Sequence, residues 1–163
     1  MKITNTINGL TLNKHGEYVW NGDLTCDEAL SVDLNGTLYV TGSIRVAKGI
    51  KSNAHIRVDG NITVGKNIRV DGYIESKQNI KSDGKIKARW VIAKNIEAAK
   101  TITARDEVQA EECIKCGASI RAGLDVIAAE SIIAGKNIIA GEDVISNLIK
   151  AGRKVRTAEG VSD

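Results

Sequence analysis

The chain has 163 residues, one domain's worth, and contains no Phe and no Pro, with aromatic residues at 3%. That composition excludes an ordinary globular core, which uses aromatic rings as its bulky fillers, and it suits strands hydrogen-bonded along both edges, where every backbone N–H is needed. The formal net charge is only +3, so any electrostatic preference must come from how the charges are placed.

Residues 1–41 read as an irregular N-terminal cap with the first strands. The pairs Leu10/Leu12, Leu24/Cys26, Val32/Leu34 and Leu38/Val40 are apolar at i and i+2, the strand period, but their spacing wanders. Tyr18 and Trp20 add larger apolar bulk. Met1–Thr11 has one Lys and several Asn and Thr, without the apolar core of a signal peptide, and no run reaches the ~18 apolar residues of a membrane span. A cytoplasmic location is the expectation.

From residue 42 to residue 158 the chain is regular. An aliphatic residue returns every six positions: Ile44, Ile50, Ile56, Ile62, Ile68, Ile74, Ile80, Ile86 and Ile92, then, after a spacing of four, Ile96 onward to Val144. Two residues after each sits a second, mostly small one, such as Val46, Ser52, Ala104 or Ala140. A six-residue period cannot keep one helical face, whereas an i, i+2 pair lies on one face of a strand. Each hexad is therefore a short strand with two inward side chains followed by a corner. The corners carry pairs such as Asp59-Gly60, Asp71-Gly72 and Lys136-Asn137, residues that tolerate a positive φ. Fixed self-similarity at a short period marks a solenoid.

Gly117 and Gly135 are eighteen apart, as are Gly123 and Gly141, which points to three hexads per turn, while the Asp-Gly corners at 59, 71 and 83 recur every twelve and leave a flat or four-sided coil as the alternative. His55 and Tyr73 keep the same step, and Trp90 falls one short of it. The expected fold is all-β: a single-stranded right-handed β-helix (β-solenoid) with three faces and about 18 residues per turn. At the short spacing before Ile96, either Ile92 or the pair Trp90/Ile92 points inward. The regular pattern resumes as Ile149/Ala151 and Val155/Thr157, and residues 159–163 are expected to form a disordered tail.

The charges form blocks. Residues 42–92 hold eleven Lys/Arg against four Asp/Glu, and residues 93–146 hold six against nine. The outward slot after the large aliphatic is basic in the first half, and an eighteen-residue frame stacks Lys51, Arg69 and Lys87 on one face. Like charges in register repel, which points to an anionic partner, although Lys also guards exposed sheet against aggregation. No aromatic interleaving for base stacking is evident beside them. The same slot turns apolar at Ile127, Ile133, Ile139 and Ile145. One turn of outward aliphatic side chains is an expected surface for self-association.

No catalytic residues are expected. Cys113-Ile-Lys-Cys116 has metal or redox spacing, but Cys116 occupies the small inward slot, no second pair exists, and a zinc site needs four ligands. His15 and His55 lack a partner at nucleophile or general-base spacing. Gly60-Asn-Ile-Thr-Val-Gly65 lacks the Lys-Ser/Thr ending of a phosphate loop. Neither a metal nor a cofactor is expected.

In left-handed hexapeptide acyltransferases the small inward residue comes four after the large one. Here it comes two after, as in Ile62-Thr-Val64 and Ile138-Ile-Ala140. The stretch from Gly60 to Ala88, GNITVGKNIRVDGYIESKQNIKSDGKIKA, resembles bactofilins and related polymer-forming bacterial proteins. The resemblance spans roughly residues 24–157 and rests on repeat texture. It implies a right-handed, three-sided solenoid that polymerises without nucleotide. The expected function is thus a non-catalytic, self-assembling structural or scaffold protein. The alternative is a β-helical binding or inhibitor protein whose basic face engages an acidic protein or nucleic acid.

Overall fold

A computed structural model describes residues 1–5, 9–158 and 160–162, and among these there is no helix. Short strands fall into three sheets, and successive strands step from one sheet to the next. Sheet A contains Ile50–Ser52, Ile68–Val70 and Ile86–Ala88; sheet B contains His55–Val58, Ile74–Ser76 and Val91–Ala93; sheet C contains Ile44–Val46, Ile62–Val64 and Asn79–Ser82. Each of these strands pairs in parallel with its counterparts one turn away, Ile50 with Ile68 with Ile86, and Ile44 with Ile62 with Ile80. The chain is therefore a three-faced β-solenoid of about eight turns. At ~4.8 Å per parallel pair, the rod is about 35–40 Å long.

The hexad rule explains the core. Strand after strand has the burial pattern in–out–in, and the ladder Ile44, Ile62, Ile80, Ile96, Ile114, Ile132 is almost fully buried along sheet C. Each such Ile contributes about 1.5–3 kcal/mol of burial free energy. Three buried inward slots, at Ser52, Ser76 and Ser82, carry Ser instead of Ala or Val, and each of these hydroxyls finds a partner, whereas the Oγ of half-buried Ser146, in the same slot near the end of the coil, has none. Ser52 Oγ donates to the Ala54 carbonyl at 2.9 Å, Ser76 Oγ to Gly60 at 2.7 Å and Ser82 Oγ to Lys66 at 2.5 Å. A buried hydroxyl without such a partner would destabilise the coil.

The short spacing is resolved differently from either expectation. Val91 and Ala93 are the inward pair, at 0% and 3% exposure, while Ile92 points outward and Trp90 is 36% exposed. Two corners, Arg89-Trp90 and Lys94-Asn95, have each lost one residue. The turn from Ile80 to Ile96 is thus sixteen residues and the register is kept. Losing one residue moves the inward positions to Val91 and Ala93, because alternate side chains face opposite ways, and losing a second at the next corner restores the original frame at Ile96.

Corner glycine also has another cause. Among the described residues positive φ occurs only at Gly9, Gly16 and Gly22, all before the regular coil. Within the coil the reason is contact between corners: a Cβ on Gly123 would strike the Arg105 carbonyl oxygen, and one on Gly141 would strike that of Gly123.

The coil begins well before residue 42. Strand β1 (Lys2–Thr4) pairs with Leu30–Asp33 and buries Ile3 completely. Strand β2 (Leu10–Leu12) turns back antiparallel onto β3 (Tyr18–Trp20), which pairs in parallel with Thr37–Val40. Tyr18, Trp20 and Leu10 pack on the core end, while Leu12 is 66% exposed and does not form an inward pair with Leu10. The inward pair of Leu30–Asp33 is Leu30/Val32, with Leu34 buried at the following corner. At the other end, Gly160–Ser162 pairs antiparallel with Val155–Thr157, so these residues form a strand where a disordered tail is expected from sequence. Residues 159 and 163 of that tail lie outside the described residues.

Candidate interaction surfaces

Strand register builds three outward columns. On sheet A the column reads Ser31, Lys51, Arg69, Lys87, Thr103, Arg121, Ile139, Arg156. The structure thus stacks Lys51, Arg69 and Lys87 as the eighteen-residue frame requires, and extends the row to Arg121 and Arg156. These two occupy the same slot after Ile120 and Val155, so the slot rule itself could have found them. Among the described residues only Arg69 has an ion-pair partner in this row, Asp71 at 3.8 Å, and both side chains are largely exposed.

The corner leading from sheet C into sheet A adds a second row. Its backbones hydrogen-bond one over the next, Lys66 N–H to the Lys48 carbonyl, Ala118 to Lys100, Lys136 to Ala118 and Arg153 to Lys136. Lys48, Lys66, Lys100, Lys136 and Arg153 therefore stack along one edge. Lys48 is paired with Glu28.

Charge consequently separates around the rod as well as along it. Of the nine acidic residues between 93 and 146, eight lie on the two corners that flank sheet B, among them Glu107, Asp125, Asp143, Glu112 and Glu130. Glu97, on sheet C, is the ninth and lies 3.3 Å from Lys81. Linear charge counts hide this division because each turn passes both sides.

The corner from sheet A into sheet B carries the row of His55, Tyr73 and Trp90 whose eighteen-residue step, one short at Trp90, is visible in the sequence. His55 and Tyr73 stack with centroids 4.2 Å apart and planes 11° apart. Trp90 comes one turn on, its carbonyl accepting from the Ile74 N–H, and the Arg89 guanidinium lies 5.3 Å from its ring centroid. The rings come one per turn along this corner, and the cation shown against them, Arg89, is the chain neighbour of Trp90. Burial, reinforced by the charge of Arg89, pushes the His55 imidazole below its ordinary pKa. Its Nδ1 accepts from the Tyr73 N–H at 3.1 Å.

The four outward isoleucines fall on different faces. Ile127 and Ile145 adjoin in register on sheet B. Ile133 sits on sheet C between Lys115 and Lys150, and Ile139 on sheet A between Arg121 and Arg156. Ile133 and Ile139 are half-buried, while Ile145 is 53% exposed. Leu148 and Ile149, beside Ile145 at the end of the coil, are 54% and 37% exposed. Those two escape a pattern search for the outward slot because Leu148 lies on a corner and Ile149 in an inward position that lacks a covering turn.

Cys113 is half-buried at a corner with its Sγ 3.2 Å from Ser131 Oγ, while Cys116 is buried inward and donates to the Lys100 carbonyl. Burial raises the Cys116 thiol pKa. Among the described residues no three His, Cys, Asp or Glu side chains converge as a metal site would require, and no helix is long and apolar enough to cross a membrane. Asn61, Asn79 and Asn95 hydrogen-bond one to the next along the corner from sheet B to sheet C, at 3.0 and 3.1 Å, so these polar groups are occupied in holding corners together.

Fold and surfaces together define a β-solenoid with a basic ridge, two acidic corners and an apolar end. No protein-family model, curated protein or solved structure matches the chain.

Proposed function

We propose that this chain is a non-catalytic structural protein of the cytoplasm, a stiff β-solenoid that works by associating with a second copy of itself. One observation carries the reading: Ile127 and Ile145 stack in register and continue into exposed Leu148 and Ile149 at one end of the rod. Val144–Ile145 and Leu148–Ala151 are the last strands of sheets B and C among the described residues. Exposed aliphatic surface next to unpaired strand edges favours association by strand addition. The exposed aliphatic side chains lie at this end, while at the opposite end the β2–β3 hairpin adds an antiparallel strand to sheet B, so pairing of like ends favours a closed dimer with two-fold symmetry over an endless polymer. Three unpaired cysteines, two of them buried, fit a reducing compartment.

The test is the solution mass of wild type beside two double variants. Ile127→Lys/Ile145→Lys is expected to reduce a dimer to monomer. Ile133→Lys/Ile139→Lys, on the other two faces, is expected to leave the mass unchanged. A wild type that stays monomeric over a hundredfold range of concentration sinks the proposal.

A further inference from the structure

We propose that sheet A and the corner leading into it form a binding track for single-stranded nucleic acid. The inference is independent of self-association, which uses the apolar end. Its basis is the row Lys51, Arg69, Lys87, Arg121, Arg156, exposed and, apart from Arg69, without ion-pair partners among the described residues. Beside it run the corner cations Lys66, Lys100, Lys136 and Arg153. Lys51, Arg69 and Lys87 stand at successive ~4.8 Å steps, with Thr103 before Arg121 and Ile139 before Arg156; cations so placed repel one another, and a polyanion along the row relieves that repulsion.

Shape selects among polyanions. The row runs along the rod for six strand steps, about 29 Å, whereas each strand of a duplex winds once in about 34–36 Å. A duplex laid along the rod would therefore meet the row near one point per turn. An anionic membrane needs a plane, and much of this positive charge sits on a convex corner. A flexible single strand tracks a straight ridge and places successive phosphates along it.

The other edge of the same sheet supplies what bases require. Trp90 is 36% exposed, at the end of the row begun by the stacked His55 and Tyr73. Arg89, whose guanidinium lies against the Trp90 ring, also walls a groove of about 240 Å³ together with Lys87, Thr103, Arg105 and Asp71. Arg89 is held by Asp106 at 2.8 Å, which leaves Lys87 and Arg105 to meet phosphate. Cations tracking a backbone with an aromatic platform at one side are the arrangement by which sequence-tolerant single-strand binders work.

The test uses the whole chain and a fluorescent oligo-dT or oligo-U strand, with anisotropy read across a salt series. Wild type is expected to bind at low salt, with affinity falling as salt rises by about 0.7 log units per log unit for each phosphate engaged. Lys51→Gln/Arg69→Gln/Lys87→Gln should lower that slope by about two. Lys77→Gln/Lys94→Gln/Lys115→Gln, which changes net charge equally on other surfaces, should leave it unchanged. Trp90→Ala should weaken binding about tenfold, and Trp90→Phe should recover most of the loss. Circular dichroism and thermal melting check that each variant keeps the coil. Absence of oligonucleotide binding at low salt overturns the proposal, as does equal loss in the two triple variants. Binding to polyglutamate or inorganic polyphosphate as tight as to the oligonucleotide, with Trp90→Ala silent, also overturns it and assigns the ridge to an acidic polypeptide or a bare polyanion.

Discussion

Glu17 and Arg57, forty residues apart in the chain, meet at 2.8 Å on the outside of sheet B. Arg57 lies with its guanidinium 4.4 Å from the centroid of the Tyr39 ring. Glu17 is held from the other side by Asn13, whose amide donates to its carboxylate at 2.8 Å. The pair thus fastens the loop between β2 and β3 to the third turn of the coil, and it neutralises a cation that would otherwise face solvent on sheet B.

Glu17→Ala is expected to cost about 1–2 kcal/mol, more than a surface pair because Glu17 is only 13% exposed. The loss should concentrate at the N-terminal end. Amide hydrogen exchange of Tyr18–Trp20 should accelerate while the Ile62–Val64 strand stays protected. Uniform acceleration along the rod would show that the pair does not act as a local fastening.

Glycine serves two purposes in this chain, and substitution separates them. Gly16 has φ +76° and nothing within reach of a Cβ, so Gly16→Asn should cost less than about 1 kcal/mol, Asn being tolerant of that conformation. Gly123 has an ordinary φ but lies against the Arg105 carbonyl. Gly123→Asn, and even Gly123→Ala, should cost about 2–3 kcal/mol because two corners must separate. Denaturation midpoints that rank the two positions the other way would remove the close-contact explanation.

His55 makes stability depend on pH. Its folded pKa lies below its ordinary value of 6.5 through burial and then the charge of Arg89. A depressed pKa means the unfolded chain takes up a proton first, so the stabilisation is present above about 6.5 and is lost as pH falls through the folded value. Protonation at Nδ1 would also remove the acceptor for the Tyr73 N–H. Melting temperature should fall from about pH 8 to about pH 5, and His55→Gln should flatten part of that decline. An unchanged slope in His55→Gln would place the dependence elsewhere.

The architecture is legible in the linear chain. An Ile or Val every six residues with a small partner two later allows only strands and corners, and glycine at eighteen-residue intervals closes the coil with three faces. These are local rules, because side chains alternate along a strand whatever its neighbours are. The outward slot likewise places Lys51, Arg69 and Lys87 in one row, since the eighteen-residue frame alone fixes their register.

Relationships that depend on which corner shortens, or on what lies over a corner, are settled only by coiling. Ile92 faces outward because two corners each shorten by one, a choice that a missing pair of residues does not reveal in one dimension. The division of charge around the rod and the separation of Ile133 and Ile139 from Ile127 arise because successive hexads fall on different faces, and the stacking of His55 on Tyr73 arises because coiling brings residues sixteen to eighteen apart to about 4.8 Å. Corner glycines serve contact rather than φ for the same reason: what fills the space over Gly123 is another turn of the chain.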